Sequence, residues 1–168
     1  MSRKEELQAP EQAGQQLITL LERCKTLQLA TLGPDGPEAS YSPFLFNEGV
    51  LYIFVSQLAS HTQNLINSSA VGVMLIEDEA DSRNLFARNR MTLQCHVSEV
   101  KVDAKAYEPV MDLYRQRHGS TVDLLRTLPD FMLFRLTPVR GRLVLGFGRA
   151  FRINLPGFEL EAIESKPA

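Results

Sequence analysis

Six side chains in this sequence have the types and spacing to hold an anion. Ser56, Ser60, His61 and Thr62 fall where an apolar strand, VLYIFVS, hands over to a short helix within Leu58 to Ser68. The first turn of a helix carries backbone N–H groups without intrahelical partners and the positive end of the dipole, so phosphate or carboxylate is favoured there. Arg88 and Arg90 open a later strand, RMTLQCHVSEV. If the strands pair so that these guanidinium groups reach the helix start, the six side chains make a phosphate site. A lone histidine at a helix start is more often structural; its hydroxyl and arginine neighbours give His61 its functional reading.

A second candidate is Tyr41-Ser42-Pro43. Proline cannot donate to a strand ladder, so it sits at an edge or a bulge. Backbone groups freed there, with the Ser42 hydroxyl, could hydrogen-bond the edge of a planar heteroaromatic ring. Ordinary strand-edge chemistry is the alternative reading.

The elements that must position these residues follow from periodicity. Leu17, Leu20, Leu21 and Cys24 recur at helical spacing, which predicts a helix from about Pro10 to Cys24 acting as a lid or plug, after a frayed 1–9. LQLATL, EASYSPFLF and VLYIFVS are strands separated by turns at Gly33–Pro37 and Asn47–Gly49, and their succession predicts an antiparallel meander. In the short helix Leu58, Leu65 and Ile66 are expected to face inward. AVGVMLI is continuously apolar and reads as central. In RMTLQCHVSEV, Met91, Leu93, Cys95 and Val97 face one way, and Arg90, Thr92, Gln94 and His96 the other. Helix returns between Asp103 and Arg126 and ends at His118-Gly119, with a further turn before Pro129. FMLFRLTP and RGRLVLGFGRAF are a sixth and a seventh strand, and the tail from residue 155 shows no pattern. Six or seven strands, mostly in hairpins, predict one domain over residues 1–168: an antiparallel split β-barrel with flanking helices.

Several functions lose support. Gly146-Phe147-Gly148 would need a third glycine where Phe151 stands, so glycines at a bulged strand are expected instead of a dinucleotide loop. GxxxxGK[ST], HExxH and GxSxG do not occur. Glu77, Asp78, Glu79 and Asp81 lack the spacing of a calcium loop and read as a solvated charged loop. His61, His96 and His118 have no metal-ligand spacing, and Cys24 and Cys95 are too far apart for a zinc motif. A net charge of −2 gives no footprint for nucleic acid. No apolar run is long enough for a membrane span, and MSRKEELQAPEQ lacks a signal-peptide core. A cytoplasmic protein with a small-molecule partner is the expectation.

KTLQLATLGPDGPEASYSPF, VSQLASHTQNL, VMLIEDEADSRNLFARNRMTLQ, LPDFMLFRL and LVLGFGRAF together resemble the heme-utilisation proteins of the HugZ/HutZ type, within the pyridoxamine-phosphate-oxidase-like split-barrel superfamily. The resemblance spans roughly Arg23 to Phe151. It implies a homodimer with cofactor sites at the subunit interface. In the flavin-binding members, FMN phosphate is held at positions matching Ser56, Ser60, His61, Thr62, Arg88 and Arg90. Tyr41, Ser42 and Pro43 match the strand that edges the flavin ring, and Gln94 could reach the ring or ribityl chain. Val144 and Arg149 match positions approaching from the second subunit; the oxidase has a tryptophan near Val144. Asp130 matches an acidic residue that supports the heme ligand in the heme-utilisation proteins. Two departures stand out. Arg149-Ala150-Phe151-Arg152 lacks the histidine of the oxidase substrate motif, and no histidine follows His118 to match the family's heme ligand. The expectation is an FMN-binding oxidoreductase. Heme binding or degradation is the alternative, and a non-catalytic cofactor sensor the third reading.

Overall fold

A computed structural model describes the backbone of residues 3–163 and the side chains of residues 11–163. The chain runs α1 (Arg3–Arg23), β1 (Thr26–Gly33), β2 (Gly36–Pro43), β3 (Leu45–Asn47), β4 (Val50–Ser56), α2 (Ser60–Asn67), β5 (Ala70–Ile76), β6 (Arg90–Val100), α3 (Tyr107–His118), α4 (Thr121–Leu125), β7 (Phe131–Leu145), β8 (Arg149–Asn154) and β9 (Glu159–Ala162). All strand pairs are antiparallel, in the order β2-β1-β5-β6-β7-β4-β3, with β8 and β9 continuing from β7. This is the split barrel that the strand count predicts, with β5 central as expected. Among the described residues, no helix is long and apolar enough to cross a membrane.

The seam of the barrel lies at Pro43-Phe44. Pro43 ends the ladder because it has no N–H to give. The Phe44 N–H still donates to the carbonyl of Lys25, just before β1, at 3.3 Å, and from Leu45 the chain leaves that strand: β2 pairs with β1, but β3 pairs with β4 at the other end of the strand path. The expected second strand is therefore two strands, and the two hairpins do not form one meander. Phe44, fully buried at the step, anchors it in the core. The last turns of α3 fasten this seam. Tyr114 Oη donates to the Pro43 carbonyl at 2.8 Å, and His118 Nε2 donates to the Phe44 carbonyl at 2.8 Å. Arg117 donates to the carbonyls of Leu21 and Cys24, and its guanidinium lies 5.1 Å from the Phe44 ring centroid.

The sixth and seventh strands expected on either side of Pro138 are one strand, β7. Pro138 is tolerated because the ladder bulges there. Gln94 pairs with Arg140 and Cys95 with Pro138, which leaves Val139 as the extra residue. The bulge expected at Gly146–Gly148 is a three-residue hairpin loop between Leu145 and Arg149, with positive φ at both glycines. The tail expected to be irregular supplies β9, which pairs with β8; residues 164–168 lie outside the described part. α1 begins seven residues before Pro10, at Arg3, within the stretch expected to be frayed. Its Ala13, Leu17, Leu20 and Leu21 join the barrel core with Leu75, Met91 and Leu143, so α1 is the expected plug. A second apolar cluster places Tyr107, Val110, Met111 and Tyr114 of α3 on Leu45, Tyr52 and Phe54.

Of the three apolar residues expected to face inward from the short helix only Leu65 is buried, and Leu58 precedes α2. Leu58 and Ile66 are exposed, and Thr62 and Asn64 go inside instead. Under the short helix Leu65 joins the apolar core, while Thr62 and Asn64 meet polar partners. Asn64 donates to Thr31 Oγ1 at 3.0 Å and to the Glu38 carboxylate at 2.9 Å.

Candidate functional site

The expected phosphate site divides in the folded chain. At the β4–α2 corner, Ser56 Oγ donates to the Asp130 carboxylate, and the Gln57 N–H donates to the Asp130 carbonyl at 2.8 Å. Thr62, fully buried, donates to the Ser56 carbonyl at 2.6 Å. Both hydroxyls are therefore spent on fixing the turn. Ser60 and His61 remain at the helix start. Burial lowers the His61 pKa from its ordinary value, partly opposed by the Glu38 carboxylate. A carboxylate held this close by Asn64 disfavours a second anion.

Arg88 turns away from α2. Its Nε donates to the Glu77 carbonyl at 2.8 Å, and its guanidinium lies 3.4 Å from the Glu79 carboxylate. Ser56, which leads into α2, pairs with Phe131, and Arg90 pairs with Val144, at opposite ends of β7. At the usual strand rise the step from Phe131 to Val144 is about 40 Å along the strand. Within one chain, the helix start and the arginine pair cannot share an anion. Ser42 is buried and donates to the Pro43 carbonyl, which also accepts from Tyr114.

The fold does gather another set, on the outer face of the sheet. Directly paired residues share a face, so the register can be read across the strands. One row runs Tyr41, Gln28, Met74, Thr92, Arg142, Arg152; the next runs Ala39, Ala30, Gly72, Gln94, Arg140. A third places Arg90 beside Val144 and Ala150. Of the residues expected at a cofactor, Tyr41, Arg90, Gln94 and Val144 therefore lie on one surface, with Arg149 at its edge. Ser42, Ser56, Ser60, His61, Thr62 and Arg88 do not line its clefts.

This face carries two adjoining clefts. The larger, about 630 Å³, has a floor of Ala30, Ala39, Gly72 and Met74. The smaller, about 460 Å³, is lined by Arg90, Val144 and Arg149, and Arg142 borders both. Small residues make the floor flat: a methyl group at Gly72 would come within 3.3 Å of Ala30 Cβ. Gln28 Oε1 is buried there without a hydrogen-bond partner. Among the described residues, Arg90, Arg140, Arg142 and Arg149 make no ion pair, and Arg152 meets Glu161 at 3.0 Å. His96 lies on the same face beyond the clefts, its Nδ1 3.1 Å from the Ser69 carbonyl. That contact assigns the proton to Nδ1 in the neutral ring and leaves Nε2 bare.

Sequence reasoning missed Arg140, Arg142 and Arg152 as a group. The signal was present in the Gly146-Phe147-Gly148 turn. Counted outward from Phe147 at the centre of a three-residue loop, Arg142 and Arg152 fall opposite one another.

Residues 13–145 match the family model for pyridoxamine 5'-phosphate oxidase, from α1 to the end of β7. The chain belongs to the pyridoxamine 5'-phosphate oxidase family. Within this family it is 41% identical over 131 residues to heme oxygenase HutZ of Vibrio cholerae serotype O1, covering 77% of this chain and 74% of HutZ. A crystal structure of HutZ, described as a heme storage protein of Vibrio cholerae, matches with a TM-score of 0.73 at 38% identity. That match covers 78% of this chain and 92% of HutZ. Campylobacter jejuni ChuZ shares the fold at a TM-score of 0.81 and 24% identity, over 91% of this chain and 63% of ChuZ. The sequence-based assignment to the HugZ/HutZ type of this oxidase-like family stands. Arg149 and Arg152, on β8, lie beyond the family match.

Proposed function

We propose that this chain binds heme on the outer face of its sheet and serves heme utilisation. The observation that carries this reading is the 41% identity to heme oxygenase HutZ. The residues on the face fit the group. Heme is a flat, apolar ring with two carboxylates at one edge. The Ala30, Ala39, Gly72 floor offers a flat surface to a ring, and the arginines without carboxylate partners offer charge-assisted hydrogen bonds to carboxylates. Bound heme would supply an iron centre for oxygen chemistry; the side chains of this face would position the ring and exclude water from one side of it.

FMN is the second reading, and it rests on the oxidase family match and on the same arginines. It is weakened by the position of Glu38 beside the helix start and by the separation of that start from Arg90 along β7. A ligand shared between two copies of the chain would lessen the second objection and leave the first.

Titration of the purified chain with hemin and, separately, with FMN tests the choice. A saturable Soret shift with hemin, alongside FMN fluorescence that stays unquenched, is the expected result. Tight quenching of FMN with no saturable hemin spectrum overturns the heme reading.

A further inference from the structure

We propose that the outer face recognises tetrapyrroles by their two carboxylates rather than by their metal, so that the iron-free macrocycle binds as well as heme. The inference rests on the heme reading and adds the ligand class: tetrapyrrole dicarboxylates, with or without iron.

The first ground is charge. Arg142 and Arg152 are directly paired across β7 and β8, and Arg140 follows on the same face of β7. Like charges placed opposite each other on a sheet destabilise it. Glu161 answers only Arg152, through an exposed contact that contributes little. Arg140 and Arg142 have no carboxylate partner among the described residues, and they stand about 7 Å apart along the strand. A ligand with two carboxylates on neighbouring pyrroles would relieve this repulsion at both positions.

The second ground is the floor. Ala39, Ala30 and Gly72 form a continuous row of small residues across three strands, beside Met74. A ring can lie on such a row without displacing a side chain. The third ground is the set of possible iron ligands. The residues lining the two clefts include no histidine, cysteine or tyrosine, and the one soft atom is the Met74 thioether. His118 is committed through Nε2 to the Phe44 carbonyl, and His96 stands beyond the cleft. Recognition then falls to the ring and its carboxylates.

The test uses the full chain with hemin, metal-free protoporphyrin IX and protoporphyrin IX dimethyl ester, followed by Soret absorbance and porphyrin emission. Dissociation constants for hemin and the free porphyrin are expected to agree within about threefold, with the ester weaker by about tenfold to a hundredfold. The Arg140→Gln, Arg142→Gln double variant is expected to weaken both acids equally, while Arg115→Gln on α3 changes neither. Removing like charges relieves repulsion, so the double variant melts no lower than the parent. Free porphyrin binding more than about tenfold weaker than hemin overturns the inference and leaves the heme reading intact. An ester that binds as well as the acid also overturns it. If neither hemin nor porphyrin binds, the heme reading itself fails.

Discussion

Arg117 ties the end of α1 to the barrel seam, and replacing it with alanine gives a calculable result. The substitution removes donation to the Leu21 carbonyl at 3.0 Å and to the Cys24 carbonyl at 2.6 Å, and the cation beside Phe44. Hydrogen bonds from a charged donor contribute about 1.5–3 kcal/mol each. A cation on an aromatic ring contributes about 0.5–1 kcal/mol more. Against these stands desolvation. Burial lowers the Arg117 pKa below its ordinary value, and Nε is buried without a partner. Offsetting about half of the gross figure leaves a net loss of about 2–3 kcal/mol. For a chain of this size that is a fall in Tm of about 4–12 °C. Calorimetry measures it directly, and urea melts should show a lower midpoint with an unchanged slope. Arg115→Ala is the matched control: its exposed pair with Asp123 is expected to contribute less than about 1 kcal/mol. If Arg117→Ala melts within about 2 °C of the parent, the seam is held by something other than this clamp.

Three further outcomes follow from the same packing. Gly141→Ala would place a methyl group 2.9 Å from Ile153 Cβ and Leu93 Cδ2, between Arg140 and Arg142. A loss of about 1–3 kcal/mol in a urea melt is expected, and an unchanged midpoint would show that β7 and β8 can part at no cost. Burial holds His61 and His118 below the ordinary 6.5, so the unfolded chain takes up protons first. Stability is therefore full above about pH 6.5 and declines as the pH falls through the folded values; His118→Asn flattens part of that decline, and an unchanged profile would contradict the assignment. The chain is expected to sediment at twice its 18.9 kDa, because β2 presents an open sheet edge. A monomer at micromolar concentration would refute the expected homodimer.

Much of the fold was legible because alternation survives in single strands. β6 buries Met91, Leu93 and Cys95 and exposes Thr92, Gln94 and His96, as its spacing requires. The end of α3 at Gly119, where φ is positive, was equally plain. What failed was the decision of which strand pairs with which. Pro43 signals a break but not that β3 departs to the far end of the strand path. Pro138 signals a break that the bulge at Val139 absorbs. The expected phosphate set divides for the same reason. Local chemistry correctly marks a helix start, but Asn64 brings Glu38 to it from β2, and no local pattern contains that contact. Arg140, Arg142 and Arg152 become one cluster only when the hairpin register is known.

Heme is proposed to lie on the Ala39, Ala30, Gly72 row. Ala30 is exposed on that row, so Ala30→Phe fills the floor without entering the core. The decisive measurement is the hemin dissociation constant of this variant against the parent, with Tm as the control for folding. A loss of more than about tenfold in affinity at unchanged Tm is expected. Parental affinity in a folded Ala30→Phe chain would place heme elsewhere than on this row.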